Sequence, residues 1–522
     1  MPIFILAYMK RFSVKRLFLL FIFTIFFLIT LHPKSLYWDK PIKILDNLNY
    51  VRINESPAKE RVITYLAKDR DGHSIYVIYR NANGTYTRAK KVFGPIKTDR
   101  PDTLNPTAAF TGKRLFITWR GSDNIVYFVK SENSGDIFTE PRKVIVSGET
   151  ILMPYTYYNQ ERLFIFYHKK AENNLNIDIL YIVSNDGGVN FSAAQKLAST
   201  YSFSFSPYVL FNNNRIDVLW ESRPPVSQSA QAVPFEIYYK SSSNNGRSWS
   251  NETRITKDHG SNHNPKAFFN NGILYTVWEN NKDGNFAIYL TPLKQNDNLL
   301  PHQRKIEKIS KTATNCKQAN IIKLGDYLYI FWKDARDGNE NIYYNTLNLK
   351  NNTIGNDRNA IFSRENSVYP YPIIQNNAIS ILYLNKRADT FILNESYPDT
   401  TTSEMEIFIP GLSQETGFIN QRKITIRWKP IQDVSGVEKI YFTVDNSPFT
   451  TPDALENNEI PEGDLSITRE FLDGTYYFHI FYIDKAGNRS KVSHTKFIVD
   501  TVAPPEPQPF LPAENTFSDK KK

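Results

Sequence analysis

The chain has 522 residues, enough for two or more domains, and carries a formal charge of +10 from 63 Lys and Arg against 53 Asp and Glu. The cations are scattered over turns and strand ends with no dense basic stripe, which argues against a nucleic-acid partner, and the single cysteine, Cys316, excludes an internal disulfide. With no metal-ligand companions, Cys316 is expected to be a small buried apolar residue; 35 Phe and 31 Tyr favour a β-rich chain.

Residues 1–16 hold Lys10, Arg11, Lys15 and Arg16, and Leu17 to Leu31 is an uninterrupted apolar run of fifteen residues. That length lies between a signal-peptide core and a full membrane span of about 20 residues. The following HPKSLYWDKP has no small-x-small cleavage site and no lipidation cysteine, so an uncleaved signal anchor at 17–31 is favoured over a removed signal peptide. Basic residues before the run keep 1–16 in the cytoplasm and export the rest, giving a membrane-anchored cell-envelope protein with its bulk outside the cytoplasm.

From Trp38 onward a unit of roughly 50 residues recurs. Its marker aromatics are Tyr65, Trp119, Tyr167, Trp220, Trp278, Trp332 and Tyr383. Thirteen residues before each lie Arg52, Pro106, Pro154, Pro207, Pro265, Ala319 and Pro370, five prolines in one register. Each unit reads as four strands joined by polar hairpins, as in NPKAFF, ILYTVWEN, NFAIYLT and QRKIEKI around Trp278. One hairpin cannot bury both faces; copies packed radially do, which predicts a β-propeller. KPIKIL (40–45) looks like a fourth strand without its first three, and the last unit has three without a fourth. The opening strand is therefore expected to complete the last sheet, giving seven blades over 38–397, with six as the fallback.

Three of the turns between third and fourth strands share S-x-[DN]-x-G-x-x-[FW]: Ser131, Asn133, Gly135, Phe138; Ser184, Asp186, Gly188, Phe191; Ser242, Asn244, Gly246, Trp249. The Asp or Asn accepts backbone N–H bonds across the turn, the Gly supplies positive φ, and the aromatic plugs back under the hairpin. This pattern resembles the Asp-box, or BNR, repeat of the sialidase-like propellers, with RNANGTYT at 80–87 a worn copy. The resemblance implies the fold over about 360 residues and makes the box a structural turn away from the ligand face.

After SYPDTTTSEM the composition shifts, and residues 405–502 read as a small β-sandwich. The spacing from Asp473 to Asn488 (DGTYY…DKAGN) and the exit DTVAPPEP resemble bacterial Ig-like or fibronectin-III-like domains. Residues 503–522, ending FSDKKK, are expected to be a disordered tail.

Candidate ligand residues lie in the turns between second and third strands, where propellers generally present their ligand face: Asp69, Asp71, Arg120, Glu221, Arg223, Glu279, Asp283, Asp334, Arg336 and Asp337. Charges of both signs converging on one mouth suit a glycan or acidic sugar; the competing expectation is that they pair within and between hairpins. The sialidase resemblance implies three arginines, a Tyr–Glu nucleophile pair and an Asp acid/base. Tyr50-Val51-Arg52-Ile53-Asn54 stands where that family has Arg-Ile-Pro, so Arg52 would be the first arginine despite the missing proline. Arg223 and Arg336 are available as the others, and no Tyr–Glu pair or Asp acid/base can be placed. The leading expectation is a binding or scaffold module recognising a protein partner or a cell-surface glycan, without metal or cofactor. The alternative is an exo-sialidase-type glycoside hydrolase.

Overall fold

The structure is a computed structural model that describes residues 36, 38, 41–55, 61–81, 84–146, 150–159, 161–170, 177–198, 203–212, 214–223, 233–294, 300–361, 363–375, 377–433, 435–452, 459–461 and 463–506. The basic segment 1–16, the apolar run 17–31 and tail residues 507–522 lie outside these. Among the described residues no helix is long and apolar enough to cross a membrane. Two compact units divide the chain between Pro398 and Asp399.

The first unit is an all-β, propeller-type assembly of four-stranded antiparallel sheets. Strand Ile42–Glu55 serves two of them: its second half opens a sheet with Arg61–Asp69, Gly72–Arg80 and Lys90–Ile96. The second sheet is Thr107–Thr111, Arg114–Arg120, Val126–Ser131 and Arg142–Ile145; the third is Thr150–Tyr158, Leu163–Lys170, Ile177–Ser184 and Gln195–Lys196. The fourth is Phe203–Asn212, Arg215–Arg223, Glu236–Ser242 and Thr253–Arg254, and the fifth Asn262–Asn270, Ile273–Asn280, Ala287–Lys294 and Glu307–Lys308. The sixth is Lys317–Leu324, Tyr327–Asp334, Asn341–Asn348 and Arg358–Ile361. The seventh, Asn366–Gln375, Ala378–Arg387 and Thr390–Ser396, takes its fourth strand from the first half of Ile42–Glu55, with Ile42 opposite Glu395 and Leu48 opposite Phe391.

The core lies between consecutive sheets, and the marker aromatics fill it. Trp119 packs with Val62, Leu66 and Val77 of the first sheet, Tyr167 with Phe116 and Phe128 of the second, and Trp220 with Phe164 and Phe166 of the third. Trp278 and Trp332 repeat the pattern, and Tyr65 packs with Val368, Leu382 and Leu393 of the seventh sheet. Cys316 is buried in one of these seams, with its thiol donating to Asp334 Oδ2 at 3.4 Å; burial and then the Asp334 carboxylate push its thiol up to about 12.

The register positions, four of them prolines, mark a bulge on five of the inner strands. Two inner residues face one marker aromatic: Met153 and Pro154 against Tyr167, Ser206 and Pro207 against Trp220, Asn264 and Pro265 against Trp278, Gln318 and Ala319 against Trp332, Tyr369 and Pro370 against Tyr383. The first residue of each pair has φ between 34° and 59°. Proline fits here because a bulge interrupts the ladder and asks no N–H of it. In the first sheet Val51 faces Tyr65 one to one, so no bulge falls at the marker; this strand shifts register earlier, between Leu48 and Tyr50.

One further contact ties the last sheet to the first, and another ties the start of the described chain to the sixth and seventh sheets. Arg80 and Glu395 form a buried ion pair at 2.5 Å, with Tyr86, Ser380 and Tyr397 also donating to the carboxylate. Trp38 donates its ring N–H to the Ile379 carbonyl at 2.7 Å and meets Phe331 and Tyr344 edge-on.

The second unit is a two-sheet packing. Ile407–Phe408, Lys423–Trp428 and Ser466–Glu470 form one sheet; Phe418–Ile419, Ser493–Val499, Gly474–Asp484, Val437–Asp445 and Glu459–Ile460 form the other. Ile424, Ile426 and Trp428 of the first meet Ile440, Phe478, Ile480 and Phe497 of the second in one apolar core.

Candidate functional site

The bulges align one inner-strand position across the sheets. The residue paired with the neighbour just before each marker aromatic is Arg52, Thr107, Tyr155, Tyr208, Lys266, Asn320 and Tyr371, one from each sheet in chain order. Equal ladder positions point the same way, so these side chains share one level of the inner strands.

Their contacts run from sheet to sheet. The Arg52 guanidinium lies 4.2 Å over the Tyr155 ring and donates to the Tyr50 hydroxyl at 3.4 Å. Tyr157 also hydrogen-bonds Arg52, and Tyr371 hydrogen-bonds Glu55. The Lys266 ammonium sits 4.7 Å from the Tyr208 ring centre, and Asn320 donates to the Pro370 carbonyl at 3.2 Å. Each cation–π contact contributes about 0.5–2 kcal/mol, rising with desolvation.

Electrostatics tie the group together. Burial, and then the Arg52 charge, lower Lys266 to about 8, while Glu279 and Glu221 act in the opposite sense. Behind Tyr155 lies His168, fully buried, with neither ring nitrogen hydrogen-bonded. Burial and then Arg52 depress it to about 3, so it is neutral at ordinary pH. Among the described residues, neither Arg52 nor Lys266 has a carboxylate at ion-pair distance. Two deep cations framed by tyrosines and without a directly paired carboxylate form a site that can accept an anion from outside.

The turn charges singled out in the sequence have different surroundings. Asp69 accepts from Ser74, Tyr76 and Lys91, Asp283 from Tyr289 and Lys308, and Asp337 from Tyr343 and Asn341. Asp334 is fully buried and bound by Arg336, Thr314 and Trp332, while Arg336 also reaches Asp357 and lies 4.0 Å over Tyr343. Asp71 is exposed in its turn, and Arg120 donates to Asn124. Arg223 lies over the Phe203 and Phe235 rings at 5.4 and 4.7 Å.

Glu221 and Glu279 clasp the next sheet's bulge. Glu221 accepts the Asn264 backbone N–H at 3.2 Å, together with Ser206 and His263, and Glu279 accepts the Gln318 N–H at 2.6 Å and the Asn264 amide at 3.1 Å. Burial raises the Glu279 carboxyl. Arg52, Arg223 and Arg336 thus occupy three separate environments with no shared partner, and of the three only Arg52 belongs to the inner-strand cluster.

The three patterned turns share one bonding scheme. The Oγ atoms of Ser131, Ser184 and Ser242 accept the N–H of Gly135, Gly188 and Gly246 at 2.8–2.9 Å, and donate to Asn133, Asp186 and Asn244. A Cβ on Gly246 would run into the Phe164 ring of the preceding sheet, and one on Gly188 into Phe128. These turns therefore fasten each sheet to the one before.

Tyr155, Tyr208, Lys266 and Tyr371 were missed as site residues in the sequence. The available signal was position: each directly follows a register proline.

No family model and no curated protein sequence matches the chain. Among solved structures, it is similar to the polysaccharide lyase Uly1 at 9% identity, covering 71% of this chain and 94% of that one with a TM-score of 0.48. The β-propeller domain of the Trilobed protease from Pyrococcus furiosus matches at 10% identity over 68% and 94%, TM-score 0.40. An α-L-arabinofuranosidase from Fusarium graminearum matches at 13% over 60% and 98%, TM-score 0.41.

Proposed function

We propose that the chain is a membrane-anchored, exported binding protein whose seven sheets close a sialidase-like, Asp-box-bearing propeller, followed by an Ig-like domain, and that the inner-strand cluster recognises an anionic glycan. One observation carries this: Arg52 and Lys266 stand among tyrosines at one level of the inner strands with no carboxylate at ion-pair distance among the described residues. A sugar carboxylate or sulfate supplies the missing charge, and the rings of Tyr155, Tyr208 and Tyr371 offer apolar faces to a pyranose. Most of the turn charges are met within their own sheet or, for Glu221 and Glu279, by the next sheet's bulge, which favours the inner strands as the recognition surface.

The glycosidase alternative rests on the same Arg52. A sialidase-type centre needs two more arginines beside it, and Arg223 and Arg336 are held elsewhere, so binding without turnover is the favoured function. The test is to titrate the purified chain with uronic-acid and sialic-acid oligosaccharides and to assay a fluorogenic sialoside in parallel. Binding that weakens at least about tenfold in Arg52→Ala, with no turnover, supports the proposal. Turnover abolished by Arg52→Ala supports the hydrolase, and equal binding of neutral and acidic sugars defeats the anion argument.

A further inference from the structure

The second unit contains a cluster of carboxylates for which nothing above accounts. Asp399 lies at its start, Asp433 in the loop after Lys423–Trp428, and Asp484 at the end of Gly474–Asp484. One oxygen from each lies within 4.8 Å of those from the other two. Asp399 and Asp484 are buried, at 5% and 0% exposure.

Each carboxylate is oriented through one oxygen by its own loop. Asp399 Oδ1 accepts from the Thr401 N–H and hydroxyl, Asp433 Oδ1 from the Ser435 N–H and hydroxyl, and Asp484 Oδ1 from the Asn488 N–H. Of the second oxygens, Asp433 Oδ2 accepts from Tyr482 and Asp484 Oδ2 from the Asn488 amide, which also donates to the Asp399 carbonyl. Asp399 Oδ2 is different: it is buried and has no hydrogen-bond partner. A buried carboxylate oxygen with no donor is strongly disfavoured. Among the described residues, no Lys, Arg or His pairs with any of the three acids.

We propose that Asp399, Asp433 and Asp484 bind a divalent cation, calcium, at this end of the second unit. The cation supplies the partner that Asp399 Oδ2 lacks and removes the repulsion among three carboxylates. The donors are all oxygen, with neither His nor Cys, which selects a hard cation over zinc or copper. Three protein carboxylates leave room for waters, and calcium's tolerance of irregular coordination suits loops from three parts of the chain better than magnesium's strict octahedron.

The test is thermal unfolding and calcium titration of the full-length chain and of Asp399→Asn, which keeps the side chain's shape. Calcium is expected to raise the midpoint of the wild type, magnesium at equal concentration to raise it less, and Asp399→Asn to weaken calcium binding by at least about tenfold. In chelator, Asp399→Asn is expected to melt no lower than wild type, because the substitution removes a repulsive charge. No calcium response in the wild type, or an undiminished response in the variant, overturns the site. A variant that melts lower than wild type in chelator also overturns it, since the acid would then be a purely structural hydrogen-bonding group.

Discussion

The turns between second and third strands and the inner strands both gather charged side chains, and they use them in opposite ways. In the turns most charges are met locally: Arg336 holds Asp334 and Asp357, and Asp283 has Lys308 and Tyr289. On the inner strands Arg52 and Lys266 have aromatic rings and no carboxylate at ion-pair distance among the described residues. Density of charge therefore does not mark the site; charge left unneutralised does. Mutations at satisfied charges should cost stability, and mutations at the unneutralised ones should cost binding.

The largest expected effect is at the Arg80–Glu395 pair, the extreme of the satisfied class. Glu395→Gln preserves shape and leaves a guanidinium at 3% exposure without its anion, which should cost about 3–5 kcal/mol in a denaturant titration. Replacing both residues with Met should recover much of that loss. A loss below about 1 kcal/mol would mean the pair does not secure the junction and would weaken the comparison.

At mildly acidic pH a smaller effect, about 2 kcal/mol by pH 5, is expected at His168, a buried neutral base rather than a charge. Its folded value near 3 lies far below the ordinary value of 6.5. Between these values the unfolded chain binds the proton and the folded chain does not, so stability is full above about pH 6.5 and falls by about 1.4 kcal/mol per pH unit below it. His168→Phe should flatten this acid slope while leaving stability at pH 8 close to wild type; an unchanged slope would assign acid sensitivity to other groups.

At Ser242 the expected loss is smaller again. Its buried hydroxyl accepts the Gly246 N–H at 2.8 Å, and Ser242→Ala should cost about 1–2 kcal/mol by thermal or chemical unfolding with no change in ligand affinity.

What the sequence made legible divides along the same line. The repeat could be read because Pro207 and Trp220, and their counterparts, are the two faces of one bulge, each restricted in residue type. The left-handed residue is Met, Ser, Asn or Tyr before the proline and Gln318 before Ala319, so the bulge leaves no pattern of its own. Without the bulge, the position after the proline cannot be recognised as a shared level of the site, and Tyr208 and Lys266 pass as ordinary strand residues. In the first sheet that level shifts by one, which is why Arg52 keeps the register of the prolines while standing level with Tyr208. Arg80–Glu395 and the Asp399, Asp433 and Asp484 cluster join distant parts of the chain with no repeating spacing, and only the folded structure brings them together.

Lys266 gives the smallest expected change in stability and the clearest separation of the two classes. Holding an ammonium there already costs the fold something, since burial and Arg52 bring it down to about 8. Lys266→Met removes that cost and keeps the apolar stem over the Tyr208 ring, so stability at pH 7 should be unchanged or slightly higher. Affinity for an acidic oligosaccharide should nevertheless fall by at least about tenfold. In the wild type that affinity should be full below about pH 8 and decline as pH rises through it, because the ammonium that meets the ligand is lost; in Lys266→Met the decline should vanish. If Lys266→Met instead destabilised the protein as Glu395→Gln does, the inner-strand cations would belong with the turns, and the anion site would have no basis.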